Sequence, residues 1–469
     1  MKTSAKSILF VLLVPAIIVI ASYAQKTNSS DPSNTNTVEK YWVRGSSPSG
    51  ELVYSSVGAY DGHKVPSQID ASSIGNKGVT TKTLNVPIPP DNYQPKGLLD
   101  IQLKTQFAFD PLISPDGRYI AFKYGTTVTP GLYRIFVFDR KTSKTTLAVD
   151  DYLNYYYVVW SPDSRYIAFF KGQVNPQFYD FGRNDDGQLT LCVCDWHNHK
   201  RQIIRSGTSL HAPCSWIGAH DLVFSALEPK DEEFLSNPNY ERGLNFIKGV
   251  PKGWERIRGQ EKRKPVFPSI YRYSPDQQRT DLLVENGRSA TVSPDGKKVA
   301  FISSLSALEP FSLGTHWKRE GSNLYLVVQD VGKPSTRTAL IEINGTYPTF
   351  YWVNNSKSLL ISQYVERGAT SRVQISVMDV LNKSMRYVKN VVAKDPGDLR
   401  TPYNQPISIL SVDSTSSNVM VRIEEFRELP NNKGYANNTS LFNVNLSSGK
   451  EARVSSSEDV IGVDWRYSN

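Results

Sequence analysis

Ile113-Ser-Pro-Asp-Gly-Arg-Tyr-Ile-Ala-Phe122 is the stretch on which the fold turns. It returns as Trp160-Ser-Pro-Asp-Ser-Arg-Tyr-Ile-Ala-Phe169 and again as Val292-Ser-Pro-Asp-Gly-Lys-Lys-Val-Ala-Phe301. Pro115 fixes φ and opens a turn, and Asp116-Gly117 supplies the positive-φ positions that a tight hairpin requires. Tyr119, Ala121 and Lys123 then alternate with Ile120, Phe122 and Tyr124, a period of two that gives a strand with two sheet faces. Leu132 to Asp139 predicts the next strand, Arg140 to Lys144 a polar turn, and Thr145 to Val149 an outermost strand. Four short antiparallel strands, A to D, make one unit.

An all-strand unit repeated at a period of roughly 40–60 residues predicts an all-β chain folded as a β-propeller of four-stranded antiparallel blades. Weaker copies extend the series at Ser215 to Ser225, Tyr351 to Ile361 and Ile409 to Val421. Strands C are expected at Leu189 to Trp196, Ser269 to Tyr273, Asn323 to Val328, Val373 to Asp379 and Ser440 to Leu446. Ser46 to Ser55 reads as a turn and a strand B, and Val460 to Trp465 as a strand A. Joined, they complete one blade and close the ring with strands from both termini, which removes open sheet edges. Seven blades are expected; six remain open if residues 41–56 lie outside the ring.

The Ser-Pro-Asp-Gly turn with its Arg/Lys-aromatic-Ile-Ala-Phe run resembles the WD-like repeat of TolB-type propellers. It is similar also to the propellers of the prolyl oligopeptidase and dipeptidyl peptidase group. The resemblance covers residues 41 to 469 and implies a fold more than a function, because such rings act as binding platforms, substrate gates and occasional enzymes. The α/β domain that precedes TolB-like propellers has no counterpart in the pattern. Nor does the peptidases' Gly-x-Ser-x-Gly string occur, so a peptidase is not expected.

Lys2 and Lys6 precede an apolar run from Ile8 to Ile20, followed by Ala21-Ser-Tyr-Ala24. This is the pattern of a secretory signal peptide over residues 1–24, with an uncleaved membrane anchor as the alternative. Residues 25–40, rich in Ser, Asn and Thr, read as a flexible linker, and 41–469 as the propeller. A net charge of +9 favours anionic partners at a cell envelope, although a solvated surface explains it equally. Export makes nucleic acid a poor partner, and a monomer is expected. Cys192, Cys194 and Cys214 read as buried and unpaired, the first two pointing to the same sheet face, with a bridge from Cys214 to one of them as the alternative. His197-Asn-His199 reads as a solvated turn rather than a metal site, and Asp180 to Gly187 lacks the ligand spacing of a calcium loop. No metal or cofactor is expected.

The insertions carry the functional reading. A–B and C–D turns stay short and share one face, while B–C connections run long at 171–188, 303–322, 424–439 and above all 227–268. Added loop length costs little closure entropy, and loops on a rigid frame are where binding residues sit. The longest one begins acidic at Asp231 and turns basic with Trp254, Arg256 and Arg258. Phe178 and Tyr179 occupy a second loop, and His316 and Trp317 a third. Tyr155, Tyr156 and His211 lie in D–A connections of the same face. Aromatic rings beside Arg and Lys suit a protein, peptide or glycan. The expectation is therefore an exported, non-enzymatic propeller, periplasmic, secreted or on the cell surface. A polysaccharide-lyase-like enzyme in the central channel and an anchored structural surface protein are the alternatives.

Overall fold

Alternating apolar residues between short polar turns have one outcome, a chain of strands. The computed structural model describes residues 50–57, 67–75, 78–84, 86, 106–126, 132–172, 189–207, 211–226, 268–304, 324–343, 348–366, 370–394, 407–413, 417–428, 435–458 and 460–467. The chain opens with β1 (Gly50–Val57), β2 (Ser67–Gly75), β3 (Gly78–Leu84), β4 (Gln106–Ile113), β5 (Tyr119–Thr126) and β6 (Leu132–Asp139). There follow β7 (Lys144–Trp160), β8 (Tyr166–Gly172), β9 (Leu189–Asp195), β10 (Lys200–Gly207), β11 (His211–Ile217), β12 (Asp221–Ala226), β13 (Ser269–Ser274) and β14 (Arg279–Val284). Next come β15 (Arg288–Val292), β16 (Lys298–Ser304), β17 (Leu324–Asp330), β18 (Lys333–Ile343), β19 (Thr349–Val353), β20 (Ser358–Glu366), β21 (Thr370–Asp379) and β22 (Ser384–Lys394). The series ends with β23 (Ile407–Val412), β24 (Asn418–Glu428), β25 (Tyr435–Asn445), β26 (Glu451–Glu458) and β27 (Val460–Tyr467).

These strands form a β-propeller of four-stranded antiparallel blades. Among the described residues the hydrogen-bonded sheets number six, where seven separate blades are expected from the repeats. The difference lies in β7. Five sheets have four strands, but one runs β10-β9-β8-β7-β6-β5-β4. Tyr133 of β6 pairs Leu153, and the next residue, Asn154, pairs Gly172 of β8. One strand therefore changes partner without a break, and residues 152–157 are strand rather than a connection. The run from Lys144 to Trp160 has no glycine or proline and is rich in β-branched and aromatic residues, so nothing interrupts it.

The first sheet is ordered β27-β1-β2-β3, with Leu52 opposite Trp465 and Val53 opposite Asp464. Strands from the two ends of the described chain thus share a sheet, and β1 has the inner partner that its own sequence leaves doubtful. β27 also lies against β4 and β23, β11 against β7 and β15, and β15 against β19. The first strand of each blade is accordingly the innermost.

Packing follows the alternation. Ile120 and Phe122 join Val53, Ile69 and Ala71 of the preceding blade. Tyr119 and Ala121, on the opposite face, join Trp160, Ile167 and Phe169 of the following one. Comparable layers link β8 and β9 to β12 and β13, then β12 and β13 to β16 and β17. Further layers link β16 and β17 to β20, and β20 and β21 to β24. Phe169, Phe170 and Phe301 are fully buried in these layers, each stabilising the fold by about 1.5–3 kcal/mol.

The cysteines are free and buried. Cys192 and Cys194 sit in the layer with Ala148 and Trp160, whereas Cys214 sits in the layer on the other side of β8 and β9. The sheet thus separates Cys214 from the other two. Burial pushes the Cys194 and Cys214 thiols up to about 12, which leaves them protonated and unreactive at neutral pH.

Candidate functional site

The turn between strands A and B builds one end of the propeller. Ser114 Oγ donates to Asp116 Oδ1 at 2.5 Å and accepts the Tyr119 N–H at 2.9 Å; the same carboxylate oxygen accepts the Arg118 N–H at 3.0 Å. Ser161 and Asp163 reproduce this triangle at 2.6, 2.8 and 3.1 Å. Ser293 and Asp295 do so at 2.6, 2.9 and 3.1 Å. A cation beyond the turn then pairs with the aspartate closing strand C. Arg118 meets Asp139 at 2.7 Å, Arg165 meets Asp195 at 3.4 Å, and Lys298 meets Asp330 at 2.7 Å. The Arg118 bond, outweighing the effect of burial, lowers the Asp139 carboxyl to about 2.

Successive turns are latched together. Position four of the turn is left-handed, with φ of 75° at Gly117, 60° at Ser164, 71° at Gly296 and 68° at Ser356. Where serine replaces glycine, its hydroxyl accepts from the turn before. The Asp116 N–H donates to Ser164 Oγ, and the Asp295 N–H to Ser356 Oγ, both at 3.2 Å. His220 occupies that place in a third turn. Its Nδ1 is 3.1 Å from Asp163 of the turn before, and its Nε2 is 2.8 Å from Asp276. Tyr166 donates its hydroxyl to the other Asp276 oxygen at 2.8 Å. That bond first, with His220 and Arg165 behind it, lowers the Asp276 pKa; burial and the same bond raise that of the phenol. These groups hold blades together.

His197 and His199 lie exposed in a turn, as the sequence predicts, and each also has a partner in the protein. The His197 ring lies 3.7 Å, centroid to centroid, from that of Trp196, and its Nε2 is 3.4 Å from the Tyr119 hydroxyl. Burial lowers its pKa, favouring the neutral imidazole. His199 Nδ1 is 3.0 Å from the Leu147 carbonyl oxygen. Among the described residues, no three His, Cys, Asp or Glu side chains are grouped to hold a metal ion.

A different set of groups lines the innermost strands. Asp110, Tyr157 and Ser289 each stand four residues before the first serine of a turn, with φ of 50°, 51° and 53°. Each falls in a shift of register: Phe109 to Leu112, Tyr156 to Val159, and Arg288 to Thr291. A bulge at one place in three repeats re-aims a side chain where a plain strand could not. Burial would raise the Asp110 pKa, but Lys123, 2.9 Å away, and Arg422 outweigh it, so this carboxylate is ionised at neutral pH. Tyr157 is about half exposed at 49%. The bulges thus put a carboxylate, a phenol and a hydroxyl at one shared position of the inner strands.

The ten candidate residues from the sequence fall into two sets. Tyr155, Tyr156 and His211 lie on paired strand, opposite Lys171, Phe170 and Ser225, instead of in connections. Trp254, Arg256, Arg258, Phe178, Tyr179, His316 and Trp317 lie outside the described residues. The expected connection 424–439 is mostly strand, since β24 and β25 stay paired as far as Glu428 and Tyr435. Asp110, Ser289 and His220 are missed by motif reading. Aligning the repeats on their turn serines would have shown the first two at a shared offset.

No family model matches this sequence, and no curated protein does. Solved structures of similar fold include TolB from Acinetobacter baumannii, at 16% identity and a TM-score of 0.35 over 72% of this chain and 62% of that one. A prolyl endopeptidase aligns at 14% identity and 0.48, over 98% of this chain and 56% of the other. The propeller domain of the trilobed protease from Pyrococcus furiosus aligns at 14% and 0.42, over 88% and 96%. The chain thus spans less than two thirds of TolB and of the endopeptidase.

Proposed function

We propose that this protein is an exported binding platform: a closed ring of β-sheet blades, sealed where β27 pairs with β1. Its partner is a protein, peptide or glycan, held on the face where strands B lead into strands C. The observation that carries this reading is the contrast between the two ends of the strands. At one end, the turns are short and spend their serine, aspartate and tryptophan groups on one another. At the other, the intervals from Gly172 to Leu189, from Ala226 to Ser269 and from Ser304 to Leu324 all follow a strand B. Length gathered at one end of a rigid frame is the mark of a working face. The bulged Asp110, Tyr157 and Ser289 would add polar groups on the inner strands next to it. Export rests on the basic, apolar and small-residue order of residues 2–24.

The test is capture from an envelope extract and on a glycan array, with the whole chain against one whose residues 227–268 are replaced by a short Gly-Ser loop. A ligand held by the first and lost by the second supports the assignment. Equal capture by both would move the contact elsewhere on the ring.

A further inference from the structure

A second surface lies on the rim. β22 is the outer strand of its sheet, ordered β19-β20-β21-β22, so among the described residues no strand pairs with its outer side. Among the described residues, large exposed apolar side chains are unevenly spread. Four of them, Leu381, Met385, Tyr387 and Val392, belong to β22 and the turn leading into it, with Leu381 at 87% exposure. The outer strands β10 and β14 show one each, Ile203 and Leu282.

Native sheets protect an open edge with charge, proline, bulges or short length, because unpaired N–H and C=O groups template another strand. β22 has eleven residues and no proline, and its one bulge, at Val388, leaves the stretches on either side paired with β21. Its cations include Lys383, Arg386, Lys389 and Lys394, and no Asp or Glu falls between Val380 and Lys394. Two of these cations are drawn sideways toward the neighbouring blade. Lys389 reaches Glu451 at 3.1 Å, and Arg386 points to the Ser447 carbonyl oxygen at 3.4 Å. Of the two, only Lys389 meets an acidic group, so the strand keeps a net positive charge while Met385, Tyr387 and Val392 stay exposed beside it.

We infer that β22 is a docking edge for an extended segment of a partner protein in which apolar residues alternate with acidic ones. Main-chain hydrogen bonds to the open edge would supply affinity. Contacts with Met385, Tyr387 and Val392 would set register, and the cations would select an acidic strand over a basic one. This site is separate from the long-connection face, and neither depends on the other.

The probe is a synthetic peptide of alternating valine and glutamate, titrated by fluorescence anisotropy onto the whole chain. A valine–lysine peptide serves as the charge control. Two variants are compared, M385K with Y387K on β22, and L282K on β14, each checked for an unchanged thermal midpoint. The proposal expects binding of the glutamate peptide only, weakening with salt, and lost at least tenfold in the β22 variant but not in L282K. Binding of both peptides alike, or equal loss in L282K, would overturn it. So would self-association of the chain abolished by the β22 variant without any peptide binding, since the occupant would then be a second copy.

Discussion

The turns at Ser161 and Ile217 are neighbours in the chain and opposites in construction. In the first, Ser161, Asp163 and Arg165 supply every bond that the hairpin needs, and Trp160 donates to the Leu112 carbonyl of the preceding blade at 3.1 Å. In the second, Ile217, Gly218 and Ala219 carry no side-chain acceptor. The Trp216 ring nitrogen is buried without a partner among the described residues. Yet both turns hold their place, because the second is fastened from outside by His220 on Asp163 and Asp276. Even the ion pair survives with its charges exchanged, Asp221 now meeting Arg272. A repeat can lose its local chemistry and remain in the ring if a neighbour supplies the bonds.

Replacing Asp163 by alanine should make the largest difference, because it removes the local triangle and the His220 latch together. A loss of about 2–3 kcal/mol is expected in chemical denaturation, against about 1–2 for Asp116→Ala. Similar losses in the two variants would show that the latch contributes nothing. The tryptophans give the next test. Trp160→Phe should cost about 1–2 kcal/mol, whereas Trp216→Phe should fall within about 0.5, because only the first loses a hydrogen bond. A penalty at Trp216 equal to that at Trp160 would break the comparison.

Acid should separate the turns that hold an ion pair by a smaller amount. The bond from Arg118 lowers the folded Asp139 carboxyl to about 2, below the ordinary 3.8. Its contribution is therefore complete above the unfolded value and is lost as pH falls toward the folded one. After allowance for the half-exposed Arg118, Asp139→Asn should cost about 1 kcal/mol near pH 6, with the difference fading as pH falls through about 2. A pH-independent difference would assign the effect to packing. The smallest effect is expected at the left-handed serines. Ser164→Gly and Ser356→Gly relieve the positive φ but remove a latch, so each should lie within about 0.5 kcal/mol of the parent.

The same contrast explains what could be read beforehand. Ser114, Ser161 and Ser293 are visible because each turn is built from residues two to five apart. The latches are invisible because Asp116 and Ser164 stand forty-eight residues apart, and Asp295 and Ser356 sixty-one. Asp110, Tyr157 and Ser289 share a backbone conformation but no chemistry, so no motif marks the bulge. Tyr155 and Tyr156 were misplaced for a third reason. A polar-aromatic stretch between two strands reads as a connection, and only pairing on both sides shows that β7 never stops.

The pairing of β27 with β1 also sets an order of events. Residues 460–467 leave the ribosome after every other described strand, and until then the inner side of β1 has no partner. The other sheets are built from strands already made, but the first sheet must wait for its last strand. Completion therefore demands a contact more than four hundred residues apart in sequence, as between Gly50 and Tyr467. Long-range pairing of this kind is slow to form, so refolding should show a late phase that reports on β27 alone.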